Sequence, residues 1–262
     1  MRSGRFGLRS RSCVVLADRF IRAVRTVATT RELATLMEAV ASEMGFRHYA
    51  LIHHDDLRHA PTDRVDLKDY PVTISERLIG QRYYRRDPII RGCVFADSAF
   101  LWSDLHQIIQ LDRKDRASFE LGMREGLNEG ITVPYVRLGD CMGSCTFAGM
   151  HRPQHAWRFL GPAQMIGIFA FQAARRLLPQ SQCLPTSRLR LRPRPRDCVV
   201  LAGRGHSNKE IARALALTPR TVDGYLTEAR RLFDAHDRTE LVISALLAGE
   251  IGLHELKDRQ PE

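Results

Sequence analysis

The chain has no apolar run approaching the roughly 18–20 residues that a membrane-spanning helix needs. Residues 1–12 are rich in Arg, hold no acid and lack the apolar stretch of a secretory signal. Residues 1–13 are therefore expected to be a disordered arm or a start assigned too far upstream. Cysteine is sparse and unorganised. None of Cys13, Cys93, Cys141, Cys145, Cys183 and Cys198 forms a CxxC pair or keeps company with a His pattern. That argues against structural zinc and fits reduced thiols in the cytoplasm. A Gly-rich phosphate loop and a nucleophile elbow are also missing, which removes the usual signs of a nucleotide hydrolase or a serine hydrolase. His53-His54-Asp55-Asp56 suggests a metal site, but on a strand neighbouring residues face opposite ways, and no distant cluster completes a set. Neither metal nor cofactor is expected. Cys141 and Cys145, on either side of a turn, leave only a redox role to consider.

What is present is positive charge. Forty Lys and Arg against thirty Asp and Glu give a formal charge of +10, a balance that suits a polyanion. The length allows two ordinary domains.

In residues 14–44, apolar Phe20, Val24, Val27, Leu33, Leu36, Met37 and Val40 recur near helical spacing, and a second helix could begin at Thr30. Residues 46–57 read as a strand, 66–86 as mixed, and 99–105 as a short aromatic segment. A helix over 116–129 stops at Gly130. Strands over 131–137 and 144–150 flank the turn Leu138-Gly139-Asp140. A helix over 162–178 is expected to bury Met165, Ile168, Phe169 and Phe171. Residues 179–195 then bring four prolines and four arginines, the composition of a linker. The domains are placed at 14–178 and 195–262, with 179–194 between them. The fold class is α+β: an N-terminal α/β/α sandwich with a central antiparallel sheet, then an all-α domain.

The all-α domain is sharply punctuated. Pro195 can open a helix that Gly205 closes. Ser207-Asn208-Lys209-Glu210 is a capping box, in which hydroxyl and carboxylate each satisfy an orphan amide. Ala216 to Thr218 make a turn, Thr218 caps the next helix, and Pro219 fits its first position. In that helix Val222, Leu226, Ala229 and Phe233 share one face. Arg220, Thr221, Gly224, Tyr225, Thr227 and Arg231 fall elsewhere and are candidates to meet DNA, together with Ser207, Asn208 and Lys209. A third box, Asp237-Arg238-Thr239-Glu240, precedes a last helix over 241–249. Two short helices on a three-residue turn put the second in the major groove. Residues 185–238 hold twelve Lys or Arg against six Asp or Glu, which suits phosphate contacts.

Residues 205–212, then Leu215, Thr221-Val222, Leu226 and Arg238-Thr239-Glu240, resemble the DNA-binding domain of the LuxR family. The resemblance implies a recognition helix from Arg220 to Leu232, and a last helix that pairs two domains on a palindromic promoter site. Pro195, Asp223 and Tyr225 depart from the family pattern, so operator preference cannot be carried over.

Residues 14–178 resemble the autoinducer-binding domain of acyl-homoserine-lactone regulators, on Tyr70-Pro71, Tyr83, Asp87-Pro88, Trp102, Gly126-Leu127, Gly130, Val133-Pro134, Gly143 and Thr146. By that resemblance Asp87 accepts from a ligand amide N–H, Tyr70 donates to its carbonyl, Trp102 walls the ring end, Thr146 adds a hydroxyl, and Gly130 allows close backbone approach. Read alone, Asp87-Pro88 is equally a helix cap. The family's tryptophan, four residues after the tyrosine, is Ile74 here, and the tyrosine four further on is Leu78. The amide end of a ligand should still be read, while the lactone end loses its donor. Tyr83, Tyr84 or His53 are the candidate substitutes.

The resemblance implies a cytoplasmic, homodimeric, ligand-responsive regulator whose partners are double-stranded DNA, an acyl-homoserine lactone or related acyl amide, and RNA polymerase. One alternative is a regulator of the same build that senses a non-lactone molecule or acts without ligand. The other is an enzyme acting on acyl amides, which would need an activated nucleophile or metal-bound water; Asp87 is the one poised group.

Overall fold

The computed structural model describes residues 11–54, 64–80, 86–137, 142–178 and 190–257. The chain divides into two compact units, Met1–Ser181 and Gln182–Glu262.

The first unit is an α/β/α sandwich. Helices α1 (Arg11–Val24) and α2 (Thr30–Met44) lead into β1 (Phe46–His53) and β2 (Asp66–Lys68). Then come α3 (Val72–Gly80), α4 (Pro88–Phe95), β3 (Phe100–Leu101) and a 3-10 turn, Trp102–Gln107. Helix α5 (Arg113–Arg124), strands β4 (Gly130–Tyr135) and β5 (Gly143–Met150), a second 3-10 turn (Pro153–Phe159) and α6 (Leu160–Arg176) complete it. The five strands run antiparallel in the order β2-β1-β5-β4-β3.

Strand side chains alternate between faces. Tyr49, Leu51, Ile131, Val133, Cys145 and Phe147 pack with α1, α2 and α6 into the main core. Ala50, Ile52, Ser144, Thr146 and Ala148 belong to the other face, toward α3, α4 and α5. β5 is buried along its whole length, so its Ser and Thr hydroxyls lie inside the protein.

Several boundaries differ from the sequence expectation. α2 is capped by Thr29, whose hydroxyl accepts from the Glu32 amide at 3.2 Å. Helix α5 begins earlier, on the Asp112/Asp115 capping box, and ends at Arg124 because Gly126 turns the chain at φ +88°. α6 buries Phe171 as expected and packs Ile168 and Phe169 against the core, but Met165 is exposed and the rest of the buried face is Ala163, Ile166, Gly167, Ala170 and Ala174. A Cβ on Gly167 would lie 2.8 Å from Val133, so small residues set how closely α6 lies on the sheet. The strand expected over 46–57 stops at His53, and residues 55–57 lie outside the described residues, as do the turn at 138–140 and residues 179–189 of the expected linker.

The second unit is all-helical: α7 (Pro193–Gly203), α8 (Asn208–Leu215), α9 (Pro219–Phe233), α10 (Arg238–Leu247) and a short α11 (Leu253–Leu256). α7 opens at Pro193, two residues before Pro195, because Pro193 also fits a first turn. The segment after α10 returns to the start of the unit. Arg196 grips the Glu255 carboxylate at 2.8 and 2.7 Å and donates to the Glu250 carbonyl at 2.8 Å. Arg204 donates to the Glu255 carbonyl at 2.7 Å, and Glu250 accepts the Leu191 amide at 2.7 Å.

Candidate functional site

Between the sheet and α3, α4 and α5 lies a cavity of about 100 Å³, several times the roughly 10–15 Å³ that one water needs. Its floor is the inner face of β5, with Ala148, Thr146 and Ser144 at steps of about 7 Å. Register places Ala50 beside Thr146 and Ile52 beside Ser144 on one side, and Thr132 beside Thr146 on the other. Tyr70, Ile74, Asp87, Trp102, Phe119 and Leu127 add walls. Thus Tyr70, Ile74, Asp87, Trp102 and Thr146, scattered in sequence, come together. Tyr83 and the Leu78 side chain lie outside the described residues.

A relay of hydrogen bonds crosses the floor. Trp102 Nε1 donates to Thr132 Oγ1 at 3.0 Å, Thr132 and Thr146 share a bond of 3.0 Å, and Tyr70 lines the cavity beside Thr146. Burial, and then the neighbouring Asp87 carboxylate, push the Tyr70 phenol far above its usual range, so it stays protonated. Asp87 has both of its expected characters. It caps α4, with one oxygen accepting from the Ile89 and Ile90 amides at 2.9 and 3.1 Å, and it lines the cavity.

Trp102 is held from two sides. Glu129, 8% exposed, accepts from the amides of Trp102, Ser103 and Gly130 at 3.1, 3.3 and 2.9 Å. The sequence reading missed Glu129 by leaving it in a helix. The available signal was that it follows Gly126, and so falls in a loop between apolar segments. Gly130 makes room, but for Trp102: a Cβ there would lie 2.6 Å from the indole Cε2 and 2.9 Å from the Phe147 carbonyl oxygen.

The two ends of the cavity differ. At one end Ile74, Leu127 and Ala148 cluster with Tyr70, Trp102 and Leu121, and the Trp102 N–H is already taken by Thr132. At the other end His54 Nε2 meets Ser144 Oγ at 2.9 Å. His53, one candidate substitute donor, is turned away from the cavity. Its Nδ1 accepts the Val65 amide at 2.9 Å and its ring stands edge-on to Phe171, in the layer of α6. Alternation along β1 puts His54 in the cavity in its place. Among the described residues no three His, Cys, Asp or Glu side chains gather as a metal site; Asp55 and Asp56 lie outside them.

In the second unit, Ser207 and Glu210 cap α8 reciprocally, at 3.4 and 2.7 Å, and Thr218 caps α9 through the Thr221 amide at 3.1 Å. Val222, Leu226 and Ala229 are buried. Arg220, Gly224, Thr227 and Arg231 form a stripe roughly opposite that face. Arg220, Gly224, Arg231, Lys209 and Ser207 are exposed, Thr221 and Thr227 partly so, and Tyr225 leans on the core. Asn208 is occupied within the unit: it accepts from Arg238 at 3.0 Å and donates to Asp223 at 3.4 Å. Asp223 therefore has a partner across the two helices.

The autoinducer binding domain model matches residues 29–176, more than half of the chain, and the model of bacterial regulatory proteins of the luxR family matches residues 190–245. The chain belongs to the LuxR family of quorum-sensing regulators. This LuxR-family chain is 28% identical over 222 residues to the quorum sensing-dependent transcriptional regulator RpaR of Rhodopseudomonas palustris, across 84% of this chain and 89% of RpaR. It is 21% identical to the transcriptional activator AnoR of Acinetobacter nosocomialis, across 83% and 91% of the two chains. The crystal structure of Escherichia coli SdiA shares the fold, with TM-score 0.58 and 16% identity over 90% of this chain and 98% of that one. SdiA in complex with octanoyl-rac-glycerol matches with TM-score 0.57 and 16% identity over 95% and 97%. Like its family, the chain is a ligand-responsive transcription regulator and not an enzyme.

Proposed function

We propose that the N-terminal unit binds an N-acyl amide signal related to the acyl-homoserine lactones, with a head group read through apolar contact instead of a tryptophan N–H. One observation carries this reading: the protonated Tyr70 hydroxyl and the neighbouring Asp87 carboxylate both line the cavity. A secondary amide needs one donor and one acceptor, and burying it unpaired costs about 1–3 kcal/mol per group. The relay favours the same polarity. The indole can only donate, so Thr132 accepts from Trp102 and turns its own hydrogen to Thr146; the Thr146 hydrogen is then directed to the Tyr70 oxygen, which leaves the Tyr70 hydrogen for a ligand carbonyl.

Ligand binding to the folded unit stabilises it by mass action. In this reading a cytoplasmic homodimer then seats two α9 helices on a palindromic promoter site, where it meets RNA polymerase. No cofactor is needed. The apolar cluster around Ile74 favours a non-lactone or modified head group.

The test is the melting shift of the full chain with matched octanoyl amides of homoserine lactone, glycine methyl ester and isobutylamine. The reading expects stabilisation by all three within about tenfold in affinity, and an Ile74→Trp variant that gains about tenfold for the lactone alone. Unmodified lactones preferred by a hundredfold over the other two would refute the altered head group. No stabilisation by any acyl amide would refute the site.

A further inference from the structure

The far end of the cavity is polar where an acyl chain alone would call for aliphatic walls. His54 lines the cavity, its Nε2 is held by Ser144, and its Nδ1 is buried with no hydrogen-bond partner among the described residues. His54 and Ser144 both line the cavity, so two polar side chains meet at this end. Burial, reinforced by the charge that a protonated His53 would carry, lowers the His54 pKa to about 4, which leaves a neutral ring at physiological pH. An unpaired buried polar atom is costly and calls for a partner. Nothing in the amide chemistry at Tyr70 and Asp87 supplies one, because this end lies one pleat further along β5.

We propose that His54 and Ser144 form a second polar station in the ligand site, and that the natural signal carries a hydroxyl group on its acyl chain, about six bonds from the amide carbonyl. The inference rests on the acyl-amide reading above. The separation follows from the sheet. Thr146 and Ser144 are two residues apart, about 7 Å along the strand. An extended chain advances about 1.2 Å per bond, so six bonds span the gap. A hydroxyl is favoured over a ketone by the tautomer argument. If Nε2 carries the proton and donates to Ser144, Nδ1 is an acceptor. If Nε2 accepts from Ser144, Nδ1 is a donor. A hydroxyl serves both cases, whereas a ketone serves only the second.

The experiment uses the full chain and calorimetric titration with octanoyl, 3-hydroxyoctanoyl and 6-hydroxyoctanoyl amides, each on homoserine lactone and on glycine methyl ester. The 6-hydroxy chain is expected to bind at least tenfold tighter than the other two on either head group. In His54→Leu that preference is lost and the plain octanoyl chain binds at least as tightly as it does to the parent. Ser144→Ala, which removes the group that orients the ring, is expected to shrink the preference, and it serves as the test if His54→Leu does not fold. Equal binding of plain and 6-hydroxy chains by the parent, or an unchanged preference in both variants, would overturn the inference while leaving the acyl-amide site intact. If no member of the series binds, the acyl-amide reading falls, and this inference with it.

Discussion

Replacing Gly130 with Ala places a methyl carbon 2.6 Å from the Trp102 indole and 2.9 Å from the Phe147 carbonyl oxygen. Gly130 is held in register against Ala148 of β5, and its strand lies between β5 and β3, so the indole is the group able to move. Overpacking of this kind costs about 1–3 kcal/mol. The indole takes its N–H away from Thr132 Oγ1, now 3.0 Å distant, and a lost buried hydrogen bond adds about 1 kcal/mol. The sum is about 2–4 kcal/mol, which for a unit of this size lowers the melting temperature by roughly 5–15 °C. Circular dichroism melting measures the cost. Emission in a Trp157→Phe background isolates Trp102, since the chain has two tryptophans. The decisive comparison is a double-mutant cycle. In a Trp102→Ala background the indole clash is gone, so Gly130→Ala should cost at least ~1 kcal/mol less than in the parent. What cost remains belongs to Phe147. A Gly130→Ala protein that melts within 1 °C of the parent, or a cost unchanged by Trp102→Ala, would refute the claim that Gly130 exists to seat Trp102.

Two further expectations concern other parts of the molecule. His54 is depressed from 6.5 to about 4 on folding, so between those values the unfolded chain binds more protons; its contribution to stability is complete above pH 6.5 and is lost as pH falls through 4. The loss amounts to about 3 kcal/mol at most, and a denaturation series from pH 7 to 4 should be visibly flatter in His54→Leu. Gly224 sits mid-helix in α9 with open space around it, so Gly224→Ala should stabilise the second unit by about 0.5–1 kcal/mol. Specific DNA affinity should fall, because the added methyl group faces the groove. An unchanged affinity in gel-shift titration would take Gly224 off that face.

The punctuated parts of the fold were legible in the sequence. Ser207, Glu210, Thr218 and Pro219 mark helix starts because orphan amides demand those side chains, and they cap α8 and α9. The spacing of Phe20, Val24, Leu33, Met37 and Val40 located α1 and α2 for the same local reason. What escaped depended on tertiary context. On α6 the search for large apolar residues found Phe171 but not Ala163, Gly167, Ala170 and Ala174, whose part is the close approach that Gly167 makes to Val133. Glu129 escaped because its partners are three backbone amides that only the fold brings to one carboxylate. His54 was weighed as a metal ligand, whereas alternation along β1, applied to the cavity, would have separated it from His53. Ala216 turns between α8 and α9 at φ +54° without being glycine, a cost that composition does not reveal.

The second unit also has an unusual relation to its own ends. Arg196 and Leu191, near its beginning, are bound to Glu250 and Glu255, near its finish, so the polypeptide forms an almost closed loop. A stop codon placed after Gly249, where the last long helix is complete, would leave α7 to α10 intact yet strip Arg196 of its acceptors. Conversely, a circular permutant that joins 257 to 190 and opens the chain between α7 and α8 should keep its native architecture. The stretch after α10 thus belongs to the body of the domain, not to its tail.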